Sequence, residues 1–168
     1  LHAFGVTVYY TKRHRLDIEE EARYQVQYLP MDELLKTCDM LSLHVPVTEE
    51  TTGMCDREFF AKCRKGSYFI NTSRGELVDD DALREALENG TIVMAGLDTL
   101  DHEPVQKNHP MLSWPEETKE KILFSPHIGG ITGSSFRRGY AMIWEDIEKI
   151  SRGEAPGHIV NQKELNRE

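Results

Sequence analysis

The order of hydrophobic patterns constrains this chain more than any single residue does. Short apolar or β-branched runs alternate with segments whose apolar residues recur at helical spacing. Val6–Tyr10 (VTVYY) reads as a strand, and Met31–Thr37 as a short helix with Met31, Leu34 and Leu35 on one side. Met40–Val45 reads as a second strand, stopped by Pro46, and Asp56–Cys63 as a helix that opens on an N-capping Asp and buries Phe59, Phe60 and Cys63. Tyr68–Asn71 is a third strand. Asp79–Glu88 is a helix with Leu83 and Leu87 on one face, stopped by Asn89-Gly90. Thr91–Leu97 and Ile122–Phe124 complete the strands, and Gly133–Arg152 carries an apolar stripe of Phe136, Tyr140, Ile143, Trp144, Ile147 and Ile150. Strands separated by helices must be joined by crossovers, which predicts an α/β fold with a parallel, doubly wound sheet. The nearly continuous apolar runs at Tyr68–Ile70 and Met94–Leu97 predict strands covered on both faces. Asp101–Glu120 is left as one long polar loop.

Composition narrows the class of partner. The 168 residues suit one domain, and a formal net charge of −9 argues against nucleic acid or an anionic membrane as the partner. No apolar run approaches the roughly 18–20 residues that span a bilayer. Leu1–Tyr10 leads into a turn rather than a cleavage site, so a cytoplasmic protein is expected. Cys38, Cys55 and Cys63 are odd in number and form no CxxC pair, which predicts buried, reduced thiols and no metal centre. Asp79-Asp80-Asp81 falls at a helix start, where compensation of the helix dipole accounts for it.

Doubly wound sheets bind ligands beyond the carboxyl ends of their strands. Those ends carry the chemistry here. After the third strand, Arg74 could clamp a carboxylate through two parallel hydrogen bonds, with Gly75 letting the chain turn tightly beside it. After the fourth come Asp98 and, further on, Glu103. After the fifth, Pro126-His127 precedes Gly129-Gly130, so an imidazole sits on a constrained loop that a ligand can approach. An unperturbed histidine titrates near pH 6.5, which suits proton transfer at neutrality, and a neighbouring carboxylate would stabilise its protonated form and fix the ring. Glu103 is the candidate carboxylate. Taken singly, Arg74 reads more readily as a surface or helix-capping cation and His127 as an ordinary surface or core histidine. Their occurrence with Glu103 at successive strand ends favours the chemical reading.

The segments LHVPVTEETTGM (Leu43–Met54), FINTSRGELVDDDAL (Phe69–Leu83), GLDTLDHEP (Gly96–Pro104) and SPHIGGIT (Ser125–Thr132) together resemble the nucleotide-binding domain of the D-2-hydroxyacid dehydrogenases. The resemblance implies a Rossmann-like sheet and reduction of a 2-oxo acid, or the reverse oxidation, with NAD or NADP. It also implies that Arg74 holds the substrate carboxylate and carbonyl oxygen, that His127 donates or accepts the proton, and that Glu103 pairs with His127. Asp98 would hold the cofactor's carboxamide. Val45, Thr72, Ser73, Gly129 and Gly130 would line the cofactor, with His44 and Pro46 on the adenosine side.

Three departures qualify the match. The family's Gly-rich phosphate loop has no counterpart here, and Leu1–Gly5 resembles the last turn of the helix that should follow it. The chain is therefore expected to be a single partial dinucleotide-binding domain over residues 1–168, incomplete at its N-terminus, with the substrate domain absent and the return to that domain near Val160–Asn161. At the end of the second family strand an acidic residue would bind the NAD ribose, but Thr11, Lys12 and Arg13 stand there, which tilts the expectation toward NADP. Leu100 replaces a usual aromatic residue. A small 2-oxo or 2-hydroxy acid is the expected substrate, and a homodimer the expected state of the full-length protein. The stripe on Gly133–Arg152 either covers the sheet or meets another domain or subunit. A nucleotide-sensing, corepressor-like module and an inactive fragment are the alternative readings.

Overall fold

The computed structural model describes residues 1–159. Residues Leu1–His127 form one compact unit and the chain from Ile128 onward another, so the expected return near Val160–Asn161 lies outside the described residues.

The first unit contains six parallel strands in two sheets. β1 (Val8–Tyr10) pairs with β2 (Val26–Tyr28), and the second sheet runs in the order β3 (Met40–Leu43), β4 (Ser67–Asn71), β5 (Ile92–Leu97), β6 (Ile122–Phe124). The single sheet expected from the sequence is thus two among the described residues, with no strand joining β1 to β3. Parallel pairing and helical crossovers otherwise match the expected Rossmann-like α/β fold.

Each crossover helix forms for a local reason. α2 (Met31–Thr37) follows Pro30, which cannot lie in a helix interior but suits its start, and α3 (Arg57–Lys62) begins where the Asp56 carboxylate accepts the Phe59 N–H. α4 (Asp80–Glu88) is capped in the same way, the Asp79 carboxylate accepting from Ala82 N–H. It ends at Asn89, before Gly90 in the left-handed region. A fork between Arg57 and both carboxylate oxygens of Glu85, 2.8 Å each, ties α3 to α4. Their inward faces supply Phe59, Phe60, Ala82, Leu83, Ala86 and Leu87, which pack on Leu41, Phe69 and Ala95 of the sheet. The rings of Phe60 and Phe69 meet edge to face with centroids 5.3 Å apart.

That core lies on one face of the sheet. The other face presents Met40, Tyr68, Met94 and Leu123 to solvent, Leu123 being 71% exposed. The expectation of strands covered on both faces therefore fails for β4 and β5, since α2, α3 and α4 all serve the same side of the core. Leu1–Gly5 is a single 3-10 turn over His2–Phe4. Further elements lie where none was expected. α1 (Ile18–Tyr24) starts from an Asp17 cap, buries nothing and leads into β2; the long loop contains a 3-10 turn, Pro110–Ser113, and α5 (Glu116–Lys119). Strand bounds are also tighter than the apolar runs suggest, because Val6, Thr7, His44, Val45 and Thr91 fall outside the ladders.

The second unit is built on α6 (Gly133–Ser151), whose start is a capping box between Thr132 and Ser135. Its apolar stripe contains no buried residue, and Phe136, Tyr140, Ile143 and Trp144 are all more than half exposed. After the helix the chain turns back, and Asp146 accepts hydrogen bonds from the backbone of Gly157 and His158.

Candidate active site

Leu43, Asn71, Leu97 and Phe124 are register partners across β3–β6, so four strands end in one row. The loops that leave this row carry Val45, Ser73-Arg74, Asp98–Glu103 and Ser125–His127. Backbone hydrogen bonds stitch them together. Asp98 N–H donates to Asn71 carbonyl (2.9 Å), Ser125 N–H to Leu97 carbonyl (3.0 Å) and His127 N–H to Asp98 carbonyl (2.8 Å).

Asn71 shapes the first of these loops. Buried at the end of β4, it accepts from Ser73 N–H (3.0 Å) and donates to the Arg74 carbonyl (2.7 Å). Ser73 Oγ reaches across to the Val45 carbonyl at 2.6 Å. Arg74 leaves this braced turn exposed, with Nη1 on the Ser73 carbonyl. Asp98 is buried and accepts from Ser125 Oγ, while the hydroxyl of the adjacent Thr99 is buried with no hydrogen-bond partner.

His127 Nδ1 and Glu103 Oε2 are hydrogen-bonded, and Glu103 Oε1 accepts from Leu100 N–H at 2.9 Å. Both partners remain partly open to solvent. Burial raises the Glu103 pKa, but the hydrogen bond to His127, the Leu100 N–H and the charges of His127 and Arg74 outweigh it and hold the carboxyl below its ordinary range. His127 has φ +52°, a left-handed conformation uncommon for a residue with a side chain. Such a conformation persists only where its surroundings over-determine it, and it gathers at functional sites.

The remaining expected positions are more dispersed. Thr72 is exposed beside Ser73; His44 is exposed and hydrogen-bonds Ser42 Oγ through Nε2 (2.9 Å); the Pro46 carbonyl accepts from Thr51. Thr11 is half-buried and Lys12 exposed, while Arg13 is ion-paired with Glu50. Tyr10 and Arg15 close the turn that holds Thr11, Lys12 and Arg13: Tyr10 Oη accepts from Leu16 N–H, and both Tyr10 and Arg15 donate to Glu21. Gly129 and Gly130 belong to the second unit, where the Gly130 carbonyl accepts from Ser135 Oγ. Sequence reasoning did not single out Asn71, Thr99 or Ser125 as site residues. A polar side chain closing an apolar strand was the signal available for Asn71.

A parallel α/β sheet with a polar cluster at the carboxyl ends of its strands defines the class: a Rossmann-like nucleotide-binding domain. Residues 1–129 match the family model for the D-isomer specific 2-hydroxyacid dehydrogenase, NAD binding domain, and the chain belongs to that family. It is 37% identical over 161 residues to a glyoxylate reductase of Korarchaeum cryptofilum, covering 95% of this chain and 46% of the relative. It is 40% identical over 158 residues to a glyoxylate/hydroxypyruvate reductase B of Klebsiella pneumoniae, covering 94% and 47%. The crystal structure of D-lactate dehydrogenase with NAD+ from Lactobacillus jensenii superimposes with a TM-score of 0.81 at 31% identity, covering 96% of this chain and 50% of that one. The chain thus spans about half the length of the curated relatives it matches.

Proposed function

We propose that this chain is the dinucleotide-binding part, over residues 1–168, of an NAD(P)-dependent D-2-hydroxyacid dehydrogenase that reduces a 2-oxo acid or runs the reverse oxidation. The observation that carries the reading is the His127–Glu103 pair, held at adjacent strand ends with His127 in a left-handed backbone conformation.

Arg74 binds the substrate carboxylate and polarises the carbonyl oxygen, a task for which a planar, permanently charged guanidinium is suited. When bound, the nicotinamide supplies the hydride that reaches the carbonyl carbon. His127, its Nδ1 committed to Glu103, gives the proton on Nε2 to the oxygen as negative charge develops there; in the oxidative direction it takes that proton back. Glu103 keeps the ring oriented and stabilises the imidazolium that precedes transfer.

The residues present fit the nicotinamide end of the cofactor. Asp98 is a buried carboxylate able to hold a carboxamide, and the unmet Thr99 hydroxyl beside it is a further hydrogen-bonding position. Val45, Thr72, Ser73, Gly129 and Gly130 line the cofactor in this reading, with His44 and Pro46 on its adenosine side. Thr11 and Lys12 support a lean toward NADP; Arg13 contributes only by leaving Glu50. The reading includes a cytoplasmic location and a homodimer for the full-length protein. The described residues contain no helix long and apolar enough to cross a membrane.

The test is a hydride-transfer assay on the full-length polypeptide that carries this domain, following NADH and NADPH absorbance against a panel of 2-oxo acids. His127→Ala is expected to lower kcat by roughly 10²–10⁴-fold. Unchanged turnover in that variant would overturn the assignment, and a strong preference for NADH would overturn the NADP lean.

A further inference from the structure

Gly75 follows Arg74 and is buried, yet its φ lies outside the left-handed region, so backbone conformation does not require a glycine there. Space does. A Cβ built on Gly75 would stand 1.9 Å from the carbonyl carbon of Leu100, 2.1 Å from the nitrogen of Asp101 and 2.3 Å from the oxygen of Leu100. All three are backbone atoms of one peptide group, which cannot swing aside as a side chain would. The Leu100–Asp101 peptide therefore lies directly against the Gly75 main chain. Among the eleven glycines whose surroundings are defined, no other meets backbone this closely.

This seam joins two loops that carry different parts of the site. On one side is the Arg74 turn, fixed from beneath by Asn71. On the other, Leu100 N–H donates to Glu103 Oε1, and Glu103 Oε2 pairs with His127 Nδ1. Resting on the roles proposed above for Arg74, Glu103 and His127, we infer that Gly75 is a positioning residue: its missing side chain sets the depth at which the Leu100–Asp101 peptide sits, and through Leu100 N–H and Glu103 the placement of His127 relative to Arg74. The charge of Arg74 adds a small lowering of the Glu103 pKa to the larger effects of the His127 and Leu100 hydrogen bonds. Any side chain at position 75 pushes the Leu100 peptide outward by more than an ångström. A displacement of that order at a catalytic group costs about 10²-fold in rate.

Four measurements test this. In the 168-residue chain, the seam places the Gly75 α-protons beside the Asp101 amide, so an NMR cross-relaxation peak between them is expected; its absence in the folded chain overturns the inference without any mutation. In the full-length enzyme, Gly75→Ala is expected to lower kcat by about 10–10²-fold while the KM for the dinucleotide stays within about threefold. Glu76→Ala, an exposed change on the same turn, should leave both unchanged. The third is a double-mutant cycle. If Gly75 acts through Glu103, adding Gly75→Ala to Glu103→Gln should cost less than about threefold more in kcat. Fully multiplicative losses would overturn the positioning role and leave Gly75 as a packing residue. Should Gly75→Ala not fold, the cross-relaxation peak and the Leu100 amide shift on Glu103→Gln decide the matter, a large shift being expected and an unmoved amide overturning the link. Wild-type enzyme without turnover would count against the proposed dehydrogenase, whereas the NMR peak tests the seam by itself.

Discussion

Asn71 donates a hydrogen bond from its side-chain amide to the carbonyl of Arg74 at 2.7 Å, from a position that is 1% exposed. The same side chain accepts from Ser73 N–H, so one buried amide satisfies both a donor and an acceptor of the turn that presents the guanidinium. Removing it leaves two backbone groups without these partners. Asn71→Ala is expected to destabilise the chain by about 1–3 kcal/mol, read from urea unfolding. A loss under about 0.5 kcal/mol would mean that water replaces the amide fully and that the turn is not braced from below.

The core makes a second, simpler demand. Phe69 is completely buried in β4, and its ring meets those of Phe59 and Phe60 edge to face. Phe69→Ala removes a large apolar surface and leaves a cavity between the sheet and α3, for an expected loss of about 3–5 kcal/mol. Equilibrium unfolding of the variant checks it. A loss near 1 kcal/mol would show that α3 collapses onto the space, and hence that this face of the sheet is loosely packed.

The thiols were expected to be buried and reduced, and the structure separates them. Cys55 and Cys63 are buried, and burial pushes the pKa of each up to about 12; Cys38 is only half-buried, with a smaller upward shift from the same cause. Because the thiolate is the nucleophile, alkylation at pH 8 should modify at most one cysteine in the native chain and all three after unfolding. Rapid native modification of all three, counted by mass spectrometry, would contradict the core described here.

Legibility in the sequence followed burial. β4, β5 and α4 could be read because their apolar residues face a core and repeat with its geometry. α1 could not: its first turn is Glu19, Glu20 and Glu21, and nothing in it is buried. The strand-end rule pointed to Arg74, Glu103 and His127, whose roles stand as proposed above; the contact between Glu103 and His127 is the part the structure contains. The pairing of Arg13 with Glu50 was invisible, since it joins exposed residues 37 positions apart. The meeting of Gly75 with Leu100 was equally hidden. Nothing in the residues around a glycine tells whether it serves its own turn or makes room for another loop. The division into two sheets and the exposed second face were missed because a pattern of apolar runs says what a strand can bury, not what is present to cover it.

The turn that carries Thr11, Lys12 and Arg13 has a pH dependence of its own. Glu21 accepts from both Arg15 Nε and Nη2 at 2.7 and 2.9 Å and from Tyr10 Oη at 2.7 Å, and the Arg15 guanidinium also lies 5.1 Å from the centroid of the Tyr28 ring. The hydrogen bonds from Arg15, then that from Tyr10, lower the Glu21 pKa to about 2, against 4.5 for the free side chain. A folded-state pKa below the unfolded one means that the unfolded chain binds more protons between these values. The contribution is therefore fully present above about pH 4.5 and is lost as pH falls toward about 2. Glu21→Gln should lower the thermal midpoint at pH 6, with the gap to wild type narrowing steadily as pH drops through 4 and 3. The variant should also loosen the turn, seen as faster amide exchange at Leu16, whose N–H is held by Tyr10. A gap that stays constant from pH 6 to pH 3 would show that Glu21 stabilises β1 and α1 by packing rather than by its charge.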